Sequence, residues 1–203
     1  MKSTHWAALI VLIAGPYVYA QQVDNRSPDV MVKRTIEDVM SAIRTDPAAR
    51  AGDPDKINSV VEQKFLPQTD FFRTTRFAVG SAWSKATPAQ QKALFEQFQT
   101  LMVHAYAAQL IQIRDQNVQF KFQPMAPLAA DATDAVVKTV VINNGDMMNI
   151  DYRVNKSSSG WKIYDINMMG AWMIPIYQQQ FAGHIAKGGI EGLVKFLAAH
   201  NER

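Results

Sequence analysis

At Asn117 the spacing of apolar residues changes from that of a helix to that of a strand, and this break constrains the fold more than any other feature of the 203 residues. Downstream, Val118, Phe120 and Phe122 alternate with Gln119, Lys121 and Gln123, the two-residue period of a half-buried strand. Ala135 to Ile142 is a β-branched run, apolar on one side at Val137, Thr139 and Val141 and on the other at Val136, Val140 and Ile142. Asn143-Asn144-Gly145-Asp146 follows, and Asn-Gly favours the positive φ of a tight hairpin. Met148, Ile150, Tyr152 and Val154 alternate next, Ser157-Ser158-Ser159-Gly160 turns again, and Trp161 to Met169 returns. Four strands on short loops predict an antiparallel meander over about 117–169.

Upstream the apolar period is helical. Ser27-Pro28 opens a helix whose stripe is Val32, Ile36, Val39, Met40 and Ile43, with proline at the first helical position. Asp53-Pro54 repeats that start before Ile57, Val60, Val61 and Phe65, and a third helix runs from near Thr69 to Gly80. Thr87-Pro88-Ala89-Gln90 is a capping box. It opens the longest predicted helix, roughly Pro88 to Arg114, with a broad apolar face from Leu94 and Phe95 through Tyr106. After Gly170, Pro175 opens a further helix through Tyr177, Phe181 and Ile185, which Gly188-Gly189 breaks before Ile190, Leu193, Val194 and Leu197. The fold class expected is therefore α+β. A curled antiparallel four-stranded meander is enclosed by N-terminal helices (about 28–114) and C-terminal helices (about 174–199) around an apolar cavity.

The first twenty residues read as a leader. Lys2 supplies positive charge, Ala7 to Ala14 is apolar but too short to span a bilayer, and Val18-Tyr19-Ala20 forms a cleavage site. Cleavage after Ala20 leaves residues 21–203 as a single domain beginning at Gln21, and this kind of leader suits a Gram-negative periplasm.

Little in the chain offers catalysis. Cysteine is absent and the formal net charge is only +3, which excludes thiol chemistry and a nucleic-acid binder built on bulk charge. His104, His184 and His200 lie on different predicted helices without metal-ligand spacing, and nucleophile-elbow, P-loop and dinucleotide motifs are missing. One catalytic arrangement remains: Asp151 or Asp165 with Tyr152 or Tyr164 on adjacent strands, a buried acid able to move a proton inside an apolar cone. The competing reading is an apolar ligand cavity. Five of ten methionines fall at Met147, Met148, Met168, Met169 and Met173, beside Trp161, Tyr164, Ile166, Trp172, Ile174 and Ile176. Methionine fits its shape to a flexible guest at little cost, and this apolar surplus exceeds what a modest meander needs. A third possibility is a chaperone or scaffold meeting protein through apolar surface.

The order of motifs resembles the MlaC family of periplasmic phospholipid-binding shuttles, also called toluene-tolerance proteins, from about Val30 to Leu197. Its landmarks here are Arg76, Val79-Gly80 and Trp83, then Thr87, Pro88 and Gln90, then Phe95, Phe98 and Tyr106. Its most specific block is Trp161 to Asp165, Gly170, Tyr177, Gln180-Phe181, Gly189 and Leu193. The chain departs at Ala171-Trp172 and at Ile176-Tyr177-Gln178, where the family's arginine is missing. The resemblance implies a monomeric carrier in the Mla pathway, an auxiliary of an ABC transporter, without enzymatic activity, metal or cofactor. Phospholipid is its cargo, moved between an outer-membrane lipoprotein complex and an inner-membrane MCE-domain ABC transporter to maintain outer-membrane asymmetry. Under that reading the lipid-binding residues are Met148, Ile150 and Tyr152 on the third strand, with Ile166 and Met168 on the fourth. Phe98, Leu101, Met102 and Tyr106 cover them, and Trp172, Ile174 and Tyr177 close one side. The headgroup stays at the mouth, because an unpaired charge among acyl chains is costly.

Overall fold

In the computed structural model residues 26–114 and 117–202 are described; the leader and its cleavage site lie outside them. Proline-led starts produce the first helices: α1 (Pro28–Thr45), α2 (Pro47–Ala51) and α3 (Pro54–Val60). The Asp46 and Asp53 carboxylates accept from the first free amides of α2 and α3. α3 runs directly into a π-helical turn, Val61–Phe65, and a 3₁₀ turn, Leu66–Gln68. Then come α4 (Phe71–Val79), a 3₁₀ turn (Gly80–Lys85) and α5 (Pro88–Ile113). The capping box is present in both directions: the Gln90 amide donates to Thr87 Oγ1 at 3.2 Å, and the Thr87 amide to Gln90 Oε1 at 3.0 Å.

The sheet is an antiparallel meander of five strands in sequence order: β1 (Gln119–Phe122), β2 (Asp134–Asn143), β3 (Asp146–Ser157), β4 (Gly160–Met168) and β5 (Ala171–Trp172). Asn144 (φ 50°) and Gly145 (φ 94°) make the expected hairpin. The four strands expected become five because Met169 (φ 51°) and Gly170 (φ 91°) form a second tight turn. Its returning strand has two residues, too few to show a period. Val137, Thr139 and Val141 form the buried face of β2, while Val136 on the other face is 40% exposed. Register shifts between Arg153 and Val154, so that Asp165 pairs with Arg153 but Ile163 with Val154, leaving Tyr164 as the extra residue of a bulge.

α6 (Met173–Asn201) starts before Pro175 and is interrupted at Gly189 (φ 64°, ψ −166°). His184 and Phe196 stack with ring centroids 3.6 Å apart. Residues that far apart in a straight helix would be separated by about 18 Å, so the two halves fold back on each other. At 29 residues α6 is longer than the 26-residue α5, though bent.

Three packed cores result. α1 lays Met31, Val32, Ile36 and Met40 on Val137, Ile150, Tyr152 and Ile163 of the sheet. α4, the 3₁₀ turn after it, α5 and α6 meet through Phe71, Trp83, Leu94, Phe98, Phe181 and Leu193. Ala49, Ile57 and Val61 pack on Val103 and Ala107. α5 therefore serves all three cores, which is why its apolar face is so broad.

Candidate functional site

Alternation on β3 and β4 sends Ile150 and Tyr152, with their partners Met168 and Ile166, to the same side of the sheet. There they line a cavity of about 130 Å³. Its other walls are Ile36, Val39 and Met40 of α1, Val61 and Phe65 of the π-helical turn, and Phe120 of β1. Tyr106, Gln109, Leu110 and Ile113 from the last two turns of α5 complete it. No lining residue carries a formal charge. Burial pushes the phenols of Tyr106 and Tyr152 well above their ordinary value, so both stay neutral. Gln109 is exposed while Ile150 and Tyr152 are buried, which sets the mouth toward the C-terminal end of α5. Such a space excludes ions and receives hydrocarbon.

The twelve residues assigned from sequence divide between this cavity and other places. Tyr106, Ile150, Tyr152, Ile166 and Met168 line it. Phe98, Met102, Leu101 and Tyr177 belong to the α4–α5–α6 core, where the Phe98 ring lies 4.8 Å from Tyr177 and 5.0 Å from Phe181. The reason is helix rise: Phe98 to Gln109 spans about 16 Å, so only the end of α5 lies over the cavity. Met148 packs half-buried in the sheet core. Trp172 lies beneath the Arg153 guanidinium, 3.9 Å from its ring centroid. Ile174 shares an open groove with Arg76, Trp83 and Gln178, and none of its lining residues reaches the cavity.

The methionine cluster is also dispersed. Only Met168 reaches the main cavity, while Met147 (74%) and Met169 (75%) stand exposed at the two tight turns. Missed from sequence were Gln109, Leu110, Ile113 and Phe120, together with the α1 residues, Val61 and Phe65. Their stripe was legible as buried, but periodicity cannot distinguish a packed face from a cavity wall.

The acid considered for proton transfer has another task. Asp165 Oδ1 accepts from the amides of Ile166 and Ile174, each at 3.0 Å, and Oδ2 from Arg153 Nη1 at 3.1 Å. Its side chain is 0% exposed. Burial pushes its pKa up, against the pull of the Ile174 amide and Arg153. With both oxygens engaged it is a clamp that ties β4 to the start of α6. Asp151 lies two rungs away, opposite Asn167. His104 is exposed on α5. Among the described residues no group of three His, Cys, Asp or Glu side chains is placed to hold a metal.

Helices over one face of an antiparallel meander, enclosing an uncharged cavity, define an α+β protein of the hydrophobic-pocket class. Residues 33–199 match the MlaC protein family, and the chain belongs to that family. It is 20% identical over 193 residues to the intermembrane phospholipid transport system binding protein MlaC of Haemophilus influenzae, covering 93% of this chain and 89% of that one. Among solved structures, the fold is similar to a phospholipid-binding protein from Ralstonia solanacearum in complex with a phospholipid. That similarity has a TM-score of 0.81 and 43% identity, and covers 87% of this chain and 98% of the other.

Proposed function

We propose that this protein is a periplasmic phospholipid carrier without enzymatic activity. It takes acyl chains into the cavity between α1, α5 and the sheet and moves lipid between the outer and inner membranes. Its partners in that role are an outer-membrane lipoprotein complex and an inner-membrane MCE-domain ABC transporter, and the exchange maintains outer-membrane asymmetry. The observation that carries the reading is the uncharged cavity of about 130 Å³ in a fold shared, at 43% identity, with a protein described as holding a phospholipid.

The physical demand on such a carrier is severe. At about 0.8 kcal/mol per methylene, two chains with roughly 30 methylenes hold some 24 kcal/mol of transfer free energy. The pocket must nearly match the bilayer for loading, without exceeding it by much, for release. A lining of Ile, Val, Met, Leu and neutral aromatic side chains satisfies the first requirement. A cavity of about 150 Å³ takes a benzene-sized guest, so loading a whole lipid requires the wall to yield. Met40 and Met168, flexible side chains on opposite walls, let it do so at little cost. In the mouth the headgroup keeps its water.

The test is transfer between two vesicle populations of phosphatidylethanolamine and phosphatidylglycerol, one carrying a fluorescent phospholipid. Transfer should rise in proportion to added protein. A rate independent of protein overturns the proposal.

A further inference from the structure

We propose that Phe65 and Tyr106 form a movable partition that sets the length of acyl chain this protein accepts, an inference that rests on the phospholipid-carrier reading. Behind the main cavity lies a second, of about 20 Å³, lined in part by Thr69, Thr74, Tyr164, Asp165 and Met173. The two cavities share three lining residues: Phe65, Tyr106 and Ile166. Ile166 is held in the sheet opposite Tyr152. The other two are aromatic rings from facing helical segments, packed edge to face with centroids 5.3 Å apart and planes at 75°.

Phe65 sits where the regular α-helix breaks down. It ends the π-helical turn Val61–Phe65 and precedes the 3₁₀ turn Leu66–Gln68. A π-helical turn is a rare insertion in a helix and recurs at functional positions. Pro67, next but one, cannot donate to an α-helical ladder, so the segment is not locked into regular helix.

The space behind the partition suits a hydrocarbon end. Thr69 Oγ1 donates to the Leu66 carbonyl at 2.8 Å and Thr74 Oγ1 to the Tyr164 carbonyl at 2.6 Å. Both Asp165 oxygens are taken by the amides of Ile166 and Ile174 and by Arg153. A terminal methyl group entering there displaces at most a water and strands none of these polar groups. With the partition closed a chain stops in the main cavity. With it displaced, each methylene admitted is worth roughly fourfold in affinity.

The test is the chain-length profile of bound lipid. Delipidated full-length mature protein is incubated with vesicles containing equal amounts of phosphatidylglycerols with lauroyl, myristoyl, palmitoyl and stearoyl chains, and bound lipid is read by mass spectrometry. Phe65→Ala should raise the stearoyl-to-myristoyl ratio at least fourfold, and Phe65→Trp should lower it. Phe65→Leu gives the same direction as alanine if the alanine variant does not fold. Val194→Ala, in the second half of α6 and lining neither cavity, should leave the profile unchanged. If the wild type takes up lipid but the Phe65 variants keep its profile, or if Val194→Ala shifts it equally, the partition is refuted while the carrier reading stands. If the wild type takes up none of the four lipids, the carrier reading fails and the partition falls with it.

Discussion

Placing a carboxylate on the cavity wall separates a ligand cavity from a packed core. Ile150 is 9% exposed, sits between Thr139 and Met168 in the sheet and lines the cavity. Ile150→Asp removes about 1.5–3 kcal/mol of apolar burial. The cavity holds about 130 Å³, several times the ~10–15 Å³ one water needs, so the empty protein hydrates the new carboxylate. The loss of stability should therefore stay near 2–4 kcal/mol, less than an ordinary domain's ~5–15 kcal/mol. Lipid binding fares worse, because acyl chains expel that water and no cation lines the wall. The group then enters the complex protonated, which for a carboxyl of ordinary pKa costs about 4 kcal/mol at pH 7, or about a thousandfold in affinity. The sign follows: lowering the pH restores uptake about tenfold per unit until the free carboxyl is itself protonated. Lipid content by mass spectrometry, with melting temperature as the check on folding, reads both effects. Gln119→Asp, on the exposed face of β1, should change neither. A folded Ile150→Asp variant with full lipid at neutral pH would refute the reasoning, as would a loss that acid does not reverse.

Gly145→Val should cost about 1–3 kcal/mol from the φ of 94° alone, since an added Cβ there meets nothing within 4 Å. The melting temperature should fall while bound lipid is unchanged; an unaltered melting temperature would sink the strain argument. Asp165→Asn keeps an acceptor for the Ile166 and Ile174 amides and should lie within about 1–2 kcal/mol of wild type in denaturant titration, whereas Asp165→Ala should cost about 2–5 kcal/mol. Burial raises the folded pKa of Asp165 above the ordinary 3.8. Its ionised form therefore costs stability as pH rises through the folded value, a cost absent below the ordinary one. Wild type should lose ground to Asp165→Asn over that window, and gaining ground would contradict the sign. Expressed in a Gram-negative host, the protein should begin at Gln21, which intact mass checks; retention of Met1 would exclude cleavage.

Much of the fold was legible because its signals are local. The hairpin at Asn144-Gly145, the capping box at Thr87 and Gln90, and the break at Gly189 each depend on backbone chemistry within a few residues. Apart from Tyr106, the cavity wall was legible on the sheet alone, where a period of two leaves no choice of face once Ile150 and Tyr152 are known to be buried. On α5 the apolar residues face more than one neighbour, and sequence cannot say that Phe98 meets Phe181 while Tyr106 meets Phe65. The tertiary roles of Arg153, Asp165 and Trp172 were likewise hidden. Their association depends on the bulge beside Val154 and on β5, neither of which has a sequence period.

Whether the cavity holds phospholipid is read by native mass spectrometry of the purified protein, with analysis of its organic extract. Diacyl phospholipid should be present at close to one per protein and lost on Ile150→Asp. Protein from every preparation free of diacyl lipid, and unable to acquire it from vesicles, would contradict it.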